Sequence, residues 1–168
     1  MRYAEKITRL ITRIAQWGTG ISFAVLIAAV LIQVVGRLTG FPAVWTEELT
    51  RYALLFTVAF GSGLAFQTGD LVNVDVICES LPGRGPWVLR LVAACATAGL
   101  AIYLLPHAWR FVSIGKMQTS AALGVRMDFI HVTVWLMLVL LAIFAALRVL
   151  DMVAGATDGK PFKADEDL

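Results

Sequence analysis

Residues 43–70 read "AVWTEELTRYALLFTVAFGSGLAFQTGD". A tryptophan, two adjacent glutamates and an arginine stand before a run with no Asp, Glu, Lys or Arg between Arg51 and Asp70. Three further stretches share this property, residues 14–36, 91–109 and 129–147, and the four runs are 18 to 23 residues long. Roughly 20 helical residues cross a hydrocarbon core of ~30 Å. The composition agrees: 59% of the 168 residues are hydrophobic, against roughly 45–50% in a soluble domain, and mean hydropathy is +0.79. The pattern predicts an all-α integral membrane protein. Four transmembrane helices, over about residues 16–37, 45–68, 87–110 and 128–150, form an antiparallel bundle in one membrane domain spanning residues 1–168.

The segment before the first run, "MRYAEKITRLITRIAQ", has helical periodicity without being a span. Tyr3, Ile7, Leu10, Ile11 and Ile14 share one face, and Arg2, Glu5, Lys6, Arg9 and Arg13 lie largely on the other. This predicts a short amphipathic interfacial helix over residues 1–16, its basic side meeting anionic membrane lipid. A cleaved secretion signal is the competing reading of this leader. The uncharged run that follows exceeds a signal core of roughly 7–15 residues, and no small-x-small cleavage site follows it. With the N-terminus in the cytoplasm, the leader, residues 70–90 and the segment from 148 hold nine Lys/Arg, and the opposite segments hold five. That bias places both termini inside, with residues 151–168 as a cytoplasmic tail.

Tryptophans mark the edges of the spans. Trp17 opens the first, Trp45 the second, and Trp87 and Trp109 bracket the third, at the headgroup depth where an indole is half buried and its N–H stays wet. Small residues mark faces for helix contact, because association in lipid depends on close backbone approach. Gly20, Ala24 and Ala28 recur every four residues in the first span, Ala59 precedes Gly63 in the second, and "AACATAG" (Ala93–Gly99) fills part of the third. The fourth, with "VWLMLVLLAIF", offers bulk on every side and is predicted to face lipid. Cys78 and Cys95 fall at different depths, so neither a disulfide nor a thiolate metal site is suggested.

Glu47 and Glu48 occupy the first turn of the second helix, where acidic groups meet the positive end of its dipole, and both lie one turn from Arg51. Arg37 ends the first helix a short loop away. An ion network of Arg37, Glu47, Glu48 and Arg51 is therefore expected. Two roles are open to it: a solvated helix start worth a few tenths of a kcal/mol per pair, or a docking site whose charges a partner satisfies.

The order Gly36-Arg37, "WTEELTRY", a glycine-bearing span ending "GLAFQTGDLVNVDV", then "LPGR" before a third span resembles the small membrane subunit of tripartite ATP-independent periplasmic (TRAP) transporters. Motifs carry the likeness over about residues 30–90, and length and span count carry it over the whole chain. Where the family often has a histidine after the second-span glycine, this chain has Leu71 or a neighbour, while Val74-Asp75 match the valine-aspartate that follows. The resemblance implies a bacterial inner-membrane accessory subunit without catalysis. Its partners would be a large ion-coupled permease subunit and a periplasmic protein that captures an organic anion, often a carboxylate. It further implies that Trp45, Glu47, Glu48, Arg51 and Asp75, with Arg37, serve as interface or fold residues.

The residues support one negative. A transporter acting alone needs ionisable groups near mid-membrane, and the four runs contain no acid. No catalytic nucleophile, phosphate loop or nucleic-acid surface emerges, and no cofactor or metal site is assigned. The rival function uses His107 and His131, near one end of the third and fourth spans, as paired axial ligands of a b-type haem in an electron-transfer or anchor subunit.

Overall fold

The computed structural model describes residues 2–68 and 85–155, with the side chains of its first helix described from Thr8. Within them the chain forms α1 (Arg2–Leu38), α2 (Trp45–Thr68), α3 (Gly85–Gly115) and α4 (Asp128–Val153). All four are long and apolar enough to cross a membrane. Helix α1 runs unbroken for 37 residues, about 55 Å at ~1.5 Å per residue. The separate interfacial helix expected over residues 1–16 is therefore not seen, because those residues form the first turns of α1. The sequence explains this: no proline interrupts Arg2–Leu38, and the first glycine, Gly18, is already inside the continuous helix. At its other end α1 stops where Gly40 takes φ +80° and the Phe41 N–H donates to the Gly36 carbonyl at 2.9 Å, a left-handed cap that β-carbons disfavour.

The helices are ordered α1, α2, α4, α3: α1 packs on α2, α2 on α4, and α4 on α3. Contact between α1 and α4 is slight, and Ile11 of α1 reaches the cluster of Phe66, Leu140, Phe144 and Ala145. Each sequential pair is an antiparallel hairpin. The two hairpins meet through α2 and α4, which run parallel: Tyr52 meets Met127 at one end, and Phe66 meets Arg148 at the other. The short connections 39–44 and 116–127 lie at one end of the helices, the hairpin end, opposite the terminal end.

Both flanking helices bury a seam of small residues at seven-residue spacing. In α3 these are Ala94, Ala101, Ala108 and Gly115, all buried. In α1 the covered positions include Ala15, Ser22, Ala29 and Gly36. A repeat of seven keeps one stripe facing a neighbour along a gently coiled pair. Into these seams and glycine notches project the large side chains of the inner helices. The ring of Phe60 fills the place of the missing Cβ of Gly18, and a Cβ on Gly63 would lie 3.0 Å from both Leu140 Cβ and the Phe144 ring. Leu138, Leu141 and Trp135 of α4 pack with Ala101 and Ala108 of α3.

Two expectations about faces are corrected. Gly20, Ala24 and Ala28 are exposed, on the side of α1 turned away from α2. Helix α4, expected to face lipid, is the most enclosed, with 39% of its most apolar stretch buried against 6% for α1. Its bulk is the complement of small neighbours: without a hydrophobic drive between helices in lipid, stability comes from large groups filling small-residue notches.

This packing predicts a graded response at Gly63. Gly63→Ala adds a methyl that its neighbours must yield to by a few tenths of an ångström, whereas Gly63→Leu overpacks the joint and costs about 1–3 kcal/mol. Thermal unfolding of the detergent-solubilised protein should show a small Tm decrease for alanine and one of several degrees for leucine.

Candidate functional site at the hairpin end

The connection between α3 and α4 is ordered by its own backbone. Thr119 and Arg126 form an antiparallel bridge, the Ser120 N–H donates to Val125 O at 2.8 Å, and the Met127 N–H donates to Gln118 O at 3.0 Å. Gly124, at φ +66°, turns the chain between them. The tip is thus a tight turn whose amides point to one side.

Glu48 fills that side. Helix α2 carries it one turn inside Trp45, facing α4, and its Oε2 accepts hydrogen bonds from the Ser120 hydroxyl, the Ala122 N–H at 3.2 Å and the Leu123 N–H at 3.3 Å. The Leu123 N–H is shared with Ser120 Oγ at 3.1 Å. Successive backbone amides converging on one anion form a nest, and bonds to an ionised acceptor are about twice as strong as neutral ones. Beside it the Tyr52 hydroxyl donates to Met127 Sδ at 3.5 Å. The carboxylate thereby ties the second helix of one hairpin to the loop of the other.

Glu47, the adjacent residue, points elsewhere. Its Oε1 pairs with Arg37 Nη2 at 3.0 Å, across the α1–α2 turn, with the two side chains 51% and 65% exposed. Arg51 is exposed, and among the described residues it forms no ion pair. The expected four-residue network is therefore divided. A turn of 100° per residue sends neighbouring glutamates to different faces, so Glu48 is internal and Glu47, Arg37 and Arg51 are peripheral. Trp45, 40% exposed, stands at the same edge. Glu47, Arg51, Leu54, Leu55 and Val58 are all exposed and line the side of α2 that neither α1 nor α4 covers. Asp75, with the rest of the loop that links α2 to α3, lies outside the described residues.

The histidines are placed separately. His107 is exposed and turns back on its own helix, its Nδ1 3.3 Å from Tyr103 O. His131 stacks on Phe111 at 4.0 Å between ring centroids and donates from Nδ1 to Phe111 O at 3.2 Å. A β-carbon on Gly115 would come within 2.7 Å of that Nδ1, so the glycine makes room for the imidazole. Among the described residues no three of His, Cys, Asp and Glu come together as a metal site.

A family model described as tripartite ATP-independent periplasmic transporters, DctQ component, matches residues 26–155. The chain belongs to this family. No curated protein matches it. As a DctQ component it is a small membrane subunit of a transporter of this class. The match takes in the charged edge, the Glu48 nest and all of α2, α3 and α4, and it leaves out residues 2–25, the larger part of α1. Sequence reasoning missed the nest because Ser120 and Glu48 are 72 residues apart. The available signal was "SAALG" at 120–124, a serine and a glycine bracketing two alanines and a leucine, which marks a turn but not the anion that fills it.

The two glutamates should respond differently to removal. Glu48→Ala leaves the Ser120 hydroxyl and two loop amides without their acceptor and unties α2 from the 120–123 turn. Glu47→Ala removes an exposed pair worth about 0–1 kcal/mol. Thermal unfolding should rank Glu48→Ala well below Glu47→Ala, and equal Tm values for the two would refute the division.

Proposed function

We propose that this DctQ component is the scaffold subunit of a carrier that imports an organic anion, a carboxylate by family precedent. It assembles with a large permease subunit that moves the solute inward, driven by an ion gradient, and a periplasmic protein delivers the solute. In this reading it lies in the bacterial inner membrane with both termini in the cytoplasm, following the Lys/Arg bias. The hairpin end then faces the periplasm.

The observation that carries the scaffold role is how the polar groups within the spans are used. Thr19, Thr57, Ser62, Thr97 and Thr133 each donate to a carbonyl of their own helix, and Thr12 donates to Gln67 across α1 and α2 at 2.8 Å. Hydroxyls spent on the backbone are not offered to a passing solute, and a coupling site in a membrane needs ionisable or unwound elements at mid-depth. Solute handling thus falls to the larger companion. The uncovered side of α2, with Arg51 and Glu47 at the edge and Leu54, Leu55 and Val58 below, is the surface on which a permease helix completes the packing. Arg37, Trp45 and, by the resemblance, Asp75 are further interface candidates. Glu48 is a fold residue.

Co-expression with the large subunit tests this. An affinity tag on the chain should recover the permease in stoichiometric amount from a colourless preparation. Arg51→Glu should lower that recovery several-fold while leaving the Tm of the isolated chain unchanged. Proteoliposomes containing the chain alone should accumulate no solute. Unaided uptake, or a haem Soret band in the purified protein, would overturn the proposal.

A further inference from the structure

The contacts of Glu48 have the form of a binding site with its ligand attached. Three donors, one hydroxyl and two consecutive amides, converge on a single carboxylate oxygen. Ser120 is 7% exposed, so its hydroxyl is committed to the site. The tip that supplies the donors is closed by its own bonds, Ser120 N to Val125 O and Gly124 N to Ser120 O, at 2.8 and 3.2 Å. The donors therefore belong to a local turn, and the acceptor arrives on a different helix. We infer that residues 120–123 form a carboxylate receptor, occupied in cis by Glu48, and that a free carboxylate of acetate size takes the site when the tethered one is removed.

The chemistry favours this ligand class. Amide nests attract anions in general. Here the donors share one oxygen of a carboxylate whose methylene stem runs back to α2. A planar acid with a short apolar stem reproduces that acceptor and its stem, whereas a halide supplies no stem. Truncating Glu48 to alanine deletes Cγ and the carboxylate, which are the atoms of acetate. The tether contributes effective concentration rather than any contact of its own, so the free ion can restore what the truncation removes.

The test is chemical rescue of the full-length chain in detergent, read by hydrogen–deuterium exchange at the Ala122 and Leu123 amides. In Glu48→Ala these amides should exchange at least tenfold faster than in the unaltered chain. Sodium acetate should restore protection in a saturable manner, and sodium chloride at matched ionic strength should not. Ser120→Ala combined with Glu48→Ala should weaken the acetate response several-fold. Should Glu48→Ala not fold, Glu48→Gln keeps the shape and one acceptor oxygen, and it should show exchange intermediate between the unaltered chain and an unprotected turn. Unchanged exchange in the folded variant, no response to acetate, or an equal response to chloride would each overturn the inference.

Discussion

Where α2 meets α4, Gly63 lets Leu140 and the Phe144 ring approach to a distance that a side chain would occupy. On that approach depends the way two hairpins become one protein. In lipid the surrounding chains are as apolar as the helix surfaces, so close dispersion contact must supply the association that water exclusion supplies elsewhere. Bulk on one helix is therefore useful only opposite a lack of bulk on another. The same exchange recurs at Gly18 with Phe60, and along the alanines of α3 with Leu138 and Trp135.

At the two ends of the α2–α4 joint, charged side chains find partners within the chain. Glu48 has three donors from a loop distant in sequence, and Arg148 has the Phe66 ring, whose centroid is 5.6 Å from its guanidinium carbon. A cation beside the last turn of α2 also faces the negative end of that helix. Glu47, Arg37 and Arg51 belong to a different category: they remain at the rim, where a second subunit or solvent can reach them. Adjacent glutamates thus divide between a tie across the two hairpins and the exposed rim.

The spans were legible because charge-free length and helical periodicity are properties of a single segment. Trp45 and the two glutamates located the start of α2 for the same reason. Pairing was harder to see. A stripe such as Gly20-Ala24-Ala28 shows that a helix has a smooth face, but the neighbour that uses it is written in other helices, and in this chain α1 turns a different stripe inward. The bulk of α4 was ambiguous in the same way, as large residues suit lipid and small-residue notches equally. The partner of Glu48 was hidden because backbone amides carry no side-chain signature. The break expected after residue 16 came from a change of composition, which alters what a helix touches without ending it.

The row order α1, α2, α4, α3 has a mechanical consequence. A closed ring of four helices braces every member from two sides, whereas a row has a single joint at its middle, and bending there requires no helix to be broken. The side chains at this joint are apolar and interlock at Gly63, and its two ends carry polar contacts, Glu48 to the 120–123 turn at one end and Arg148 to Phe66 at the other. Contacts at both ends oppose sliding of one hairpin along the other. The two hairpins are thus held in register along the length of their joint.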